Sequence, residues 1–592
     1  MNDRVLRIGG AVGYWGEAPV ATPQFLDAAC VDYIIYDYLA EITLSIMARQ
    51  RAADPEAGFA TDFVSAVVKP NLRRIAEQGV KLIANAGGVN PAACARRVGE
   101  VAAALGIDVK VAVVEGDDLL GRREALVEDY TDMFTGEPLP PADAIASANA
   151  YLGAFPVARA LDAGADIVIT GRCVDSALAL GPCIHEFGWK TDDYARLAAG
   201  SLAGHLLECG PQSTGGNFTD WDTLDGPLDA IGYPVAHIAA DGAMVITKPS
   251  GTSGAVTVGT VSEQLLYEIG DPQAYELPDV VCDFSKVSLV QDGVDRVRVT
   301  GATGRAPSPH FKVSVTALDG FRGGTLFTFY GLDAAGKAQA FADSALRRAR
   351  AALGSMSLPD FSETSVEVLG AGGNEVVVKI AVRHPEAKGV GVLLKTLAGL
   401  GLSAPPGLAA FAGGRAKPTP VLRLHSFLIE RDAVPATVHV DGQAIECVHA
   451  AGEPFDAAAL QRPVQPAAVE DTNAFVDVPL IALAWGRSGD KGDKANIGII
   501  ARDAEYLPYL WAALTPEAVA CRFADLLDPN RGSVDRYLLP GSSAINLLLH
   551  AVLGGGGVAS LRNDPQGKGY AQLLLNLPVP VPAAVANTVG HR

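Results

Sequence analysis

The chain has 592 residues, of which 49% are hydrophobic and 19% are charged, a composition that supports packed cores and excludes extensive disorder. Its 47 basic and 67 acidic residues give a formal net charge of -20, which disfavours binding to nucleic acid or to an anionic membrane surface. A chain of this length exceeds what one hydrophobic core supports, so we expect three domains and a small-molecule partner.

The eight cysteines are scattered without a C-x-x-C pair, which is typical of a reducing compartment. No signal-peptide pattern opens the sequence, and no uninterrupted apolar run approaches the ~20 residues that a membrane-spanning helix needs. The sequence therefore predicts a cytoplasmic protein with no membrane partner.

Short apolar runs alternate with helical patterns over the first 210 residues. The predicted strands lie near 4–8, 33–36, 80–84, 109–114 and 166–170. Repeated β-α alternation is typical of a largely parallel sheet covered by helices. Residues 1–270 are therefore predicted to form an α/β domain with a mainly parallel sheet.

Each predicted strand of this domain is followed by polar or glycine-rich residues. Ligands of such folds lie beyond the carboxyl ends of the strands, so the five exits predict a common cleft. Carboxylates at these exits are candidate bases for acid-base chemistry on a carbonyl substrate, namely Asp37, Glu41, Glu115, Asp117 and Asp175. A structural alternative is that Asp37 or Asp175 caps the helix that follows it.

Other groups at the same exits suit the binding of negative charge. Asn85 is a candidate for orienting an oxyanion, and the backbone at Gly87 and Gly88 leaves room for a ligand. Arg172 is a candidate clamp for a carboxylate or a phosphate. A turn-rich passage after residue 208 adds further substrate-binding candidates, namely Thr214, Gly215 and Asn217.

The pattern changes near residue 270, where we place a domain boundary. Residues 271–455 combine alternating strands with an amphipathic helix from Ala338 to Leu353, which predicts an α+β domain. The alanine- and proline-rich span 456–474 is predicted to be a linker. Residues 475–592 then form a small α+β C-terminal domain, with a ferredoxin-like fold as one option.

The stretch from Trp485 to Gly498 concentrates charges and glycines after a predicted buried strand, Val478 to Ala484. Such a loop can hold an anion, bridge two subunits or simply face water, and all three options remain open. Farther along, Pro540 to Ser543 is predicted to cap an apolar helix from Ala544 to Leu553.

Several common motifs are absent from the sequence. The first strand lacks the G-x-G-x-x-G spacing of a dinucleotide site, and no Walker A loop or G-x-S-x-G elbow occurs. The ten histidines show no zinc-binding spacing. Asp490 and Asp493 are compatible with a loosely bound divalent metal, although nearby lysines repel one. We therefore expect no tightly bound cofactor and no dedicated metal site.

Taken together, many spaced passages of the chain resemble the acyclic terpene utilisation family, AtuA. They include Asn85–Pro91, Val114–Asp118, Thr170–Arg172, Glu208–Gly210, Thr214–Asn217, Pro249–Thr252 and Leu318–Gly320. Arg487–Ile500 and Leu539–Leu561 resemble the small domain that follows in the long members of that family. The resemblance covers nearly the whole chain. It implies a role in the catabolism of acyclic terpenoids through branched acyl-CoA thioesters.

From the residues and the resemblance we expect a hydratase or lyase that uses an acid-base pair. Asp175 or Glu115 is the expected base, and Asn85 or the amides near Gly87 and Gly215 steady the enolate. Arg487, Lys491 and Lys494 are expected to hold the phosphates of the CoA thioester, with Asp490 in the same loop.

Two alternatives remain. The chain is either a non-catalytic assembly protein, whose charged loop forms interchain ion pairs, or an enzyme of free carboxylic acids or amides. In each case a homo-oligomer is expected.

Overall fold

The computed structural model describes residues 4–411, 413–414, 416–467, 475–557 and 559–589. Residues 468–474 of the predicted linker lie outside the described residues, so that part of the linker stays a prediction.

Strands and helices alternate from residue 5 to residue 265, as the apolar runs predict. The strands are β1 (Val5–Gly10), β2 (Tyr33–Tyr36), β3 (Lys81–Ala84), β4 (Val111–Glu115), β5 (Ile145–Ala150), β6 (Ile167–Thr170), β7 (Val235–Ala239) and β8 (Met244–Thr247). The helices are α1 (Ala21–Ala28), α2 (Glu41–Ala53), α3 (Lys69–Gln78), α4 (Pro91–Leu105), α5 (Arg123–Asp129), α6 (Phe155–Asp162), α7 (Ala177–Phe187), α8 (Tyr194–Leu207) and α9 (Val258–Leu265). All five predicted strands are present, and β5 is an additional one.

The centre of the first sheet is parallel, in the order β1-β2-β3-β6-β4. Its strands are apolar throughout because helices bury both faces. Ile35 and Ile83 pack into the core on one face, while Ile34 and Leu82 pack into the core on the other. The carboxyl ends of these strands meet at one edge of the sheet.

Residues 271–455 contribute strands and two helices. The strands are β9 (Tyr275–Glu276), β10 (Val281–Asp283), β11 (Ser288–Gln291), β12 (Val297–Thr300), β13 (Thr303–Arg305), β14 (His310–Tyr330), β15 (Glu363–Leu369), β16 (Glu375–His384), β17 (Leu408–Ala409), β18 (Thr419–Glu430), β19 (Ala436–Val440) and β20 (Gln443–Cys447). The helices are α10 (Ala334–Ser355) and α11 (Ala387–Gly399). The predicted helix is thus confirmed.

Four of these strands complete the first sheet. The full order is β11-β12-β8-β7-β1-β2-β3-β6-β4-β19-β20, with antiparallel strands on both flanks of the parallel centre. On one flank Thr437 of β19 pairs with Glu115 of β4. The sheet therefore does not stop at the predicted boundary near residue 270.

A second sheet is built around β14, which is 21 residues long. It pairs with β16, β17 and β18, and also with β5 of the first segment, where Val313 lies opposite Ala150. Helices α10 and α11 cover one face, where Phe329, Phe341 and Ile380 form a separate core. Because β5 and β14 are paired, residues that follow β5 lie beside the start of β14.

The C-terminal segment forms a four-stranded antiparallel sheet in the order β22-β23-β25-β24, beside a two-stranded pair of β21 and β26. The strands are β21 (Phe475–Pro479), β22 (Ala484–Lys491), β23 (Lys494–Ala501), β24 (Ser533–Leu539), β25 (Ala544–His550) and β26 (Pro578–Pro582). The helices are α12 (Leu480–Leu483), α13 (Leu507–Ala513), α14 (Pro516–Arg522), α15 (Tyr570–Leu574) and α16 (Ala583–Ala586).

Three predictions in this segment are wrong. The stretch 485–498 is a β-hairpin made of β22 and β23, and the predicted strand 478–484 is mostly the short helix α12 with the end of β21. Most of the predicted helix Ala544–Leu553 is instead strand β25. A short apolar run fits a buried strand as well as a helix, and only pairing with β23 and β24 decides between them.

Within the described part of the chain, no helix combines the length and the apolar character needed to cross a membrane.

Candidate active site

The carboxyl ends of β2, β3 and β6 bring four predicted site residues together. Asp37 directly follows β2, Asn85 directly follows β3, and Arg172 and Asp175 lie in the turn after β6. These strands are neighbours in the parallel part of the sheet, so their exits share one edge. We call this region the strand-end cleft.

Asp37 is a buried carboxyl group at the base of the cleft, with 7% of its surface exposed. Its Oδ1 accepts a hydrogen bond from Asn85 Nδ2 (2.5 Å), while Asn85 Oδ1 accepts from the Tyr38 amide (2.7 Å). Burial and then the charge of Asp175 raise the pKa of Asp37 well above its usual range. Burial therefore favours the protonated form of Asp37, and Asn85 holds the carboxyl group in place.

Arg172 is the central cation of the cleft. Its Nη1 donates to Asp175 Oδ1 (2.7 Å) and to the Leu39 carbonyl (3.0 Å). The guanidinium carbon lies 4.3 Å from the centre of the Tyr151 ring. Its Nε is buried and has no hydrogen-bond partner among the described residues. Arg172 thus faces several acidic groups while part of its hydrogen-bonding capacity is unused.

Glu41, Tyr151 and Lys312 form the side of the cleft where β5 meets β14. Tyr151 donates a hydrogen bond to Glu41 Oε1 (2.6 Å), and Lys312 Nζ lies 5.2 Å from the Tyr151 ring centre. Burial alone would raise the pKa of Glu41, but Arg172, Lys312 and the tyrosine hydrogen bond lower it to about 2. Glu41 is therefore ionised.

At Lys312, unlike Glu41, burial outweighs the attraction of the neighbouring opposite charge. Burial lowers its pKa, and the cations Lys491 and Arg172 lower it further, against the attraction of Glu41. Its Nζ makes no hydrogen bond or ion pair with any described residue. Sequence reasoning missed Tyr151 and Lys312 as site residues, because the pairing of β5 with β14 joins positions far apart in the chain.

His205 and Glu208 form a second acid-base pair at the end of α8. His205 Nε2 donates to the Leu265 carbonyl (3.2 Å), and its Nδ1 lies 3.0 Å from Glu208 Oε1. A carbonyl can only accept, so Nε2 carries a hydrogen. The hydrogen bond between Nδ1 and Oε1 then needs one further proton, held by either His205 or Glu208. Burial, and then Asp175, raise the pKa of Glu208.

The hairpin of β22 and β23 adds a residue to this cleft. A two-residue turn, Gly492-Asp493, joins the strands with Gly492 at φ +64°, where glycine is favoured. Lys491, just before the turn, stays accessible to solvent beside Tyr275, Glu268, Asp175 and Glu208. The neighbouring protein removes part of the water around its amine, which opposes the charge, but these acidic groups outweigh that effect and raise the pKa of Lys491.

The hairpin docks on the end of α9 in its own chain. Asn496 donates to the Leu266 carbonyl (2.5 Å) and accepts from the Glu268 amide (2.9 Å). A Cβ added at Gly498 would lie 2.4 Å from Leu266 Cβ, and one at Gly489 would lie 2.6 Å from Glu268 Cγ. The strand glycines therefore permit close contact between the two surfaces.

Charged residues of the hairpin also have partners within the chain. Arg487 donates to the Asn217 carbonyl (2.6 Å), and Asp490 Oδ1 lies 3.3 Å from Lys568 Nζ. Lys494 Nζ lies 5.5 Å from the centre of the Phe134 ring. The predicted roles of these side chains, holding CoA phosphates or forming interchain ion pairs, stay predictions. So does the expected homo-oligomer.

Two predicted carboxylates lie outside the cluster. Glu115 extends from the end of β4 and pairs with His439 of β19 (3.2 Å). Asp117 is buried and accepts hydrogen bonds from the Arg172 amide and from Asn149 Nδ2, each at 2.8 Å. Burial raises the pKa of Asp117 to about 7, although both hydrogen bonds oppose the shift. Asp117 thus holds the turn that carries Arg172.

The remaining predicted binding residues shape the backbone around the cleft. A Cβ at Gly87 would lie 2.5 Å from the Thr170 carbonyl oxygen, and one at Gly88 would lie 2.3 Å from Met47 Sδ. Thr214 donates to the Gly232 carbonyl (2.6 Å), and Gly215 adopts φ +116°. These groups pack against their own chain, and their predicted contact with substrate is untested.

Among the described residues, no group of three or more His, Cys, Asp or Glu side chains is arranged to hold a metal ion. The loosely bound divalent metal considered from the sequence remains a prediction.

Two family models match the chain. Acyclic terpene utilisation family protein AtuA matches residues 6–440, and the AtuA ferredoxin-like domain matches residues 478–580. No curated protein and no solved structure matches it. The first match spans the parallel sheet, the strand-end cleft and the β14 sheet, and the second spans the hairpin that carries Lys491. The chain therefore belongs to the acyclic terpene utilisation family AtuA.

Proposed function

We propose that this protein is an enzyme of branched or acyclic-terpenoid acyl-CoA catabolism, a hydratase or lyase that works by acid-base chemistry. The observation that carries the proposal is the contrast between two neighbouring carboxyl groups. Asp37 is buried and its pKa is raised, which favours its protonated form, while Asp175 forms an ion pair with Arg172. Two carboxyl groups whose environments differ in this way suit the roles of acid and base.

In the hydration of a 2-enoyl thioester, Asp175 accepts a proton from water as the water oxygen attacks Cβ. The electron pair of the double bond moves to the thioester carbonyl and forms an enolate. Asp37 then donates its proton to Cα. Elimination follows the same steps in reverse, so one pair of carboxyl groups serves both directions.

Arg172 and Lys491 are the proposed partners of the developing enolate oxygen. Arg172 retains unused donors, and Lys491 is a protonated amine beside Asp175. Charged donors aligned with the oxygen before the reaction lower the barrier because they need no reorganisation. The sequence suggested Asn85 as the group that steadies the enolate. In our proposal these cations take that role, because Asn85 Nδ2 already donates to Asp37 and Asn85 Oδ1 already accepts from the Tyr38 amide.

The test uses Asp175→Asn with a branched 2-enoyl-CoA. Loss of the enoyl absorbance measures hydration, and deuterium entering Cα in heavy water measures enolate formation. We expect wild-type enzyme to show both, and Asp175→Asn to lose both by about 10²–10⁴-fold. Asp27→Asn, on the exposed Asp27–Arg74 pair, is the matched control and should keep full activity. Wild-type enzyme without turnover on any branched enoyl-CoA contradicts the proposal.

A second candidate is an enzyme of free carboxylic acids, which the three cations Arg172, Lys312 and Lys491 favour. Lys312 Nζ and part of Arg172 have no hydrogen-bond partner among the residues described, so a substrate carboxylate would complete them. Parallel assays of each acid and its CoA thioester separate the two candidates. Faster turnover of the free acid would favour this second function.

A further inference from the structure

A groove of about 280 Å³ lies between the second half of α2, the start of β5 and the segment before α5. Arg49, Arg51 and Arg123 surround it, and Ala48 and Ile145 contribute to its apolar wall. Three guanidinium groups around one apolar groove are unusual in a chain whose net charge is -20. The groove lies outside the strand-end cleft, and the acid-base chemistry proposed above does not use it.

The arginines differ in how they are bound. Arg49 is exposed and has no hydrogen bond or ion pair with any described residue. Arg51 donates to the Val89 carbonyl and pairs with Asp118 (2.8 Å). Arg123 pairs with the neighbouring Glu124 at the exposed surface (3.2 Å). Exposed ion pairs are weak, so Arg49 and Arg123 are both available to an incoming anion.

The groove and the cleft lie along the same two elements. Helix α2 begins at Glu41, which is in the cleft, and Ala48 lies two turns later on the same face, about 10 Å along the axis. Strand β5 begins at Ile145 in the groove and leads to Tyr151 in the cleft, about 20 Å away. One elongated ligand can therefore reach both places.

We propose that this groove binds the adenosine 3′,5′-bisphosphate end of CoA, an inference that rests on the thioester substrate of the proposed function. Guanidinium groups match phosphate oxygens in pairs, and the alanine and isoleucine side chains give a flat apolar wall for adenine. The pantetheine arm then runs between α2 and β5 and places the thioester beside Arg172. Arg487 already donates to the Asn217 carbonyl of its own chain, and Lys491 is assigned to the enolate oxygen in the proposed function, so the groove is better suited to phosphate.

The experiment is titration calorimetry of the full chain with adenosine 3′,5′-bisphosphate, with ADP and inorganic phosphate as comparison ligands. We expect the bisphosphate to bind tighter than either, and the double variant Arg49→Glu/Arg123→Glu to bind it at least tenfold more weakly. Arg347→Glu changes an exposed arginine of α10 and should bind like wild type. Arg49→Ala is the milder variant if the double variant does not fold.

The same titration separates this inference from the proposed function. Bisphosphate binding that is absent from wild type, or equal in wild type and the groove variants, overturns the groove assignment even if branched enoyl-CoA is turned over. Inorganic phosphate binding as tightly as the bisphosphate overturns the nucleotide assignment. Groove-dependent bisphosphate binding without any turnover supports the groove and counts against hydratase or lyase chemistry alone.

Discussion

The hairpin of β22 and β23 rests on residues 217–220 and on the end of α9, and we call this contact the interface beneath the hairpin. The strand-end cleft and this interface are both buried and polar, but their hydrogen bonds are distributed differently. In the interface, Asp220 accepts two bonds from Arg502 (2.6 and 2.7 Å) and one from Trp485 (2.9 Å). In the cleft, Arg172 Nε has no partner among the described residues, and burial beside Asp175 raises the pKa of Asp37. An unmade buried hydrogen bond costs about 1–3 kcal/mol, which a ligand in the cleft can recover.

The comparison shows that the density of polar residues does not by itself locate a functional site. Both regions are rich in charge, and the hairpin is the more charged in sequence. What distinguishes the cleft is that its buried carboxyl groups are shifted in opposite directions: the pKa of Asp37 is raised, while the pKa of Glu41 is lowered. Substitutions should therefore affect chemistry in the cleft and stability in the interface.

The largest expected effect comes from Arg172→Met. Removing this cation leaves Glu41 and Asp175 in the cleft without their main partner, so the free energy of unfolding should fall by about 3–5 kcal/mol. Turnover of the folded fraction should also fall by about 10²–10³-fold. Urea denaturation and steady-state kinetics measure the two effects. Turnover that persists in the folded fraction would remove Arg172 from the chemistry.

Asp37→Asn should separate chemistry from stability. Because burial favours the neutral form of Asp37, an amide of the same shape that still accepts the hydrogen bond from Asn85 should leave thermal stability equal or higher. Turnover should fall about 10²–10⁴-fold, since the donated proton is lost. In wild type the rate should decline as pH rises through the raised pKa of Asp37. A variant that unfolds more easily yet stays active would reverse the assignment.

Arg502→Met tests the interface instead. It breaks the buried pair with Asp220, so the free energy of unfolding should fall by about 3 kcal/mol. Activity per folded molecule should change less than tenfold, because Arg502 lies outside the cleft. Arg522→Met, an exposed arginine of the same segment, is the control and should leave stability nearly unchanged. An equal loss of unfolding free energy in both variants would show that the Arg502–Asp220 pair stabilises the fold no more than an exposed arginine does.

Glu263→Gln gives the smallest effect, and one that depends on pH. Glu263 also lies in the interface, and its Oε2 is buried without a hydrogen-bond partner among the described residues. Burial raises its pKa to about 7, so the folded chain retains a proton that the unfolded chain loses above about 4.5. Wild-type stability should therefore fall between pH 5 and 7.5, relative to the variant, by on the order of 2–3 kcal/mol. Denaturation measured at both pH values tests this. The same stability difference between wild type and variant at pH 5 and at pH 7.5 would contradict the assignment.

The sequence predicted the parallel centre of the first sheet and the exits that carry Asp37, Asn85 and Arg172, because apolar periodicity and turn residues are local signals. It did not predict Tyr151 and Lys312 beside them. Those residues meet only because β5 pairs with β14, and no local pattern reports which distant strands pair.

The glycines of the stretch 485–498 led to the main error of the sequence prediction, a loop in place of a β-hairpin. At Gly489 and Gly498 the sequence favours a flexible loop, yet both lie in strands where a side chain would collide with the end of α9. A glycine that permits a turn and one that permits close packing look alike in sequence. The partner surface, more than 200 residues earlier, distinguishes them.

The pairing of β19 with β4 also sets an order of events during synthesis. Glu115 leaves the ribosome roughly 320 residues before its partner Thr437. The ribosome adds about 5–20 residues per second, so roughly 15–60 s pass between the synthesis of β4 and the synthesis of its neighbouring strand β19. During that interval the newly made chain presents an open strand edge to other chains, so a chaperone that shields it would matter most before the middle of the protein is complete.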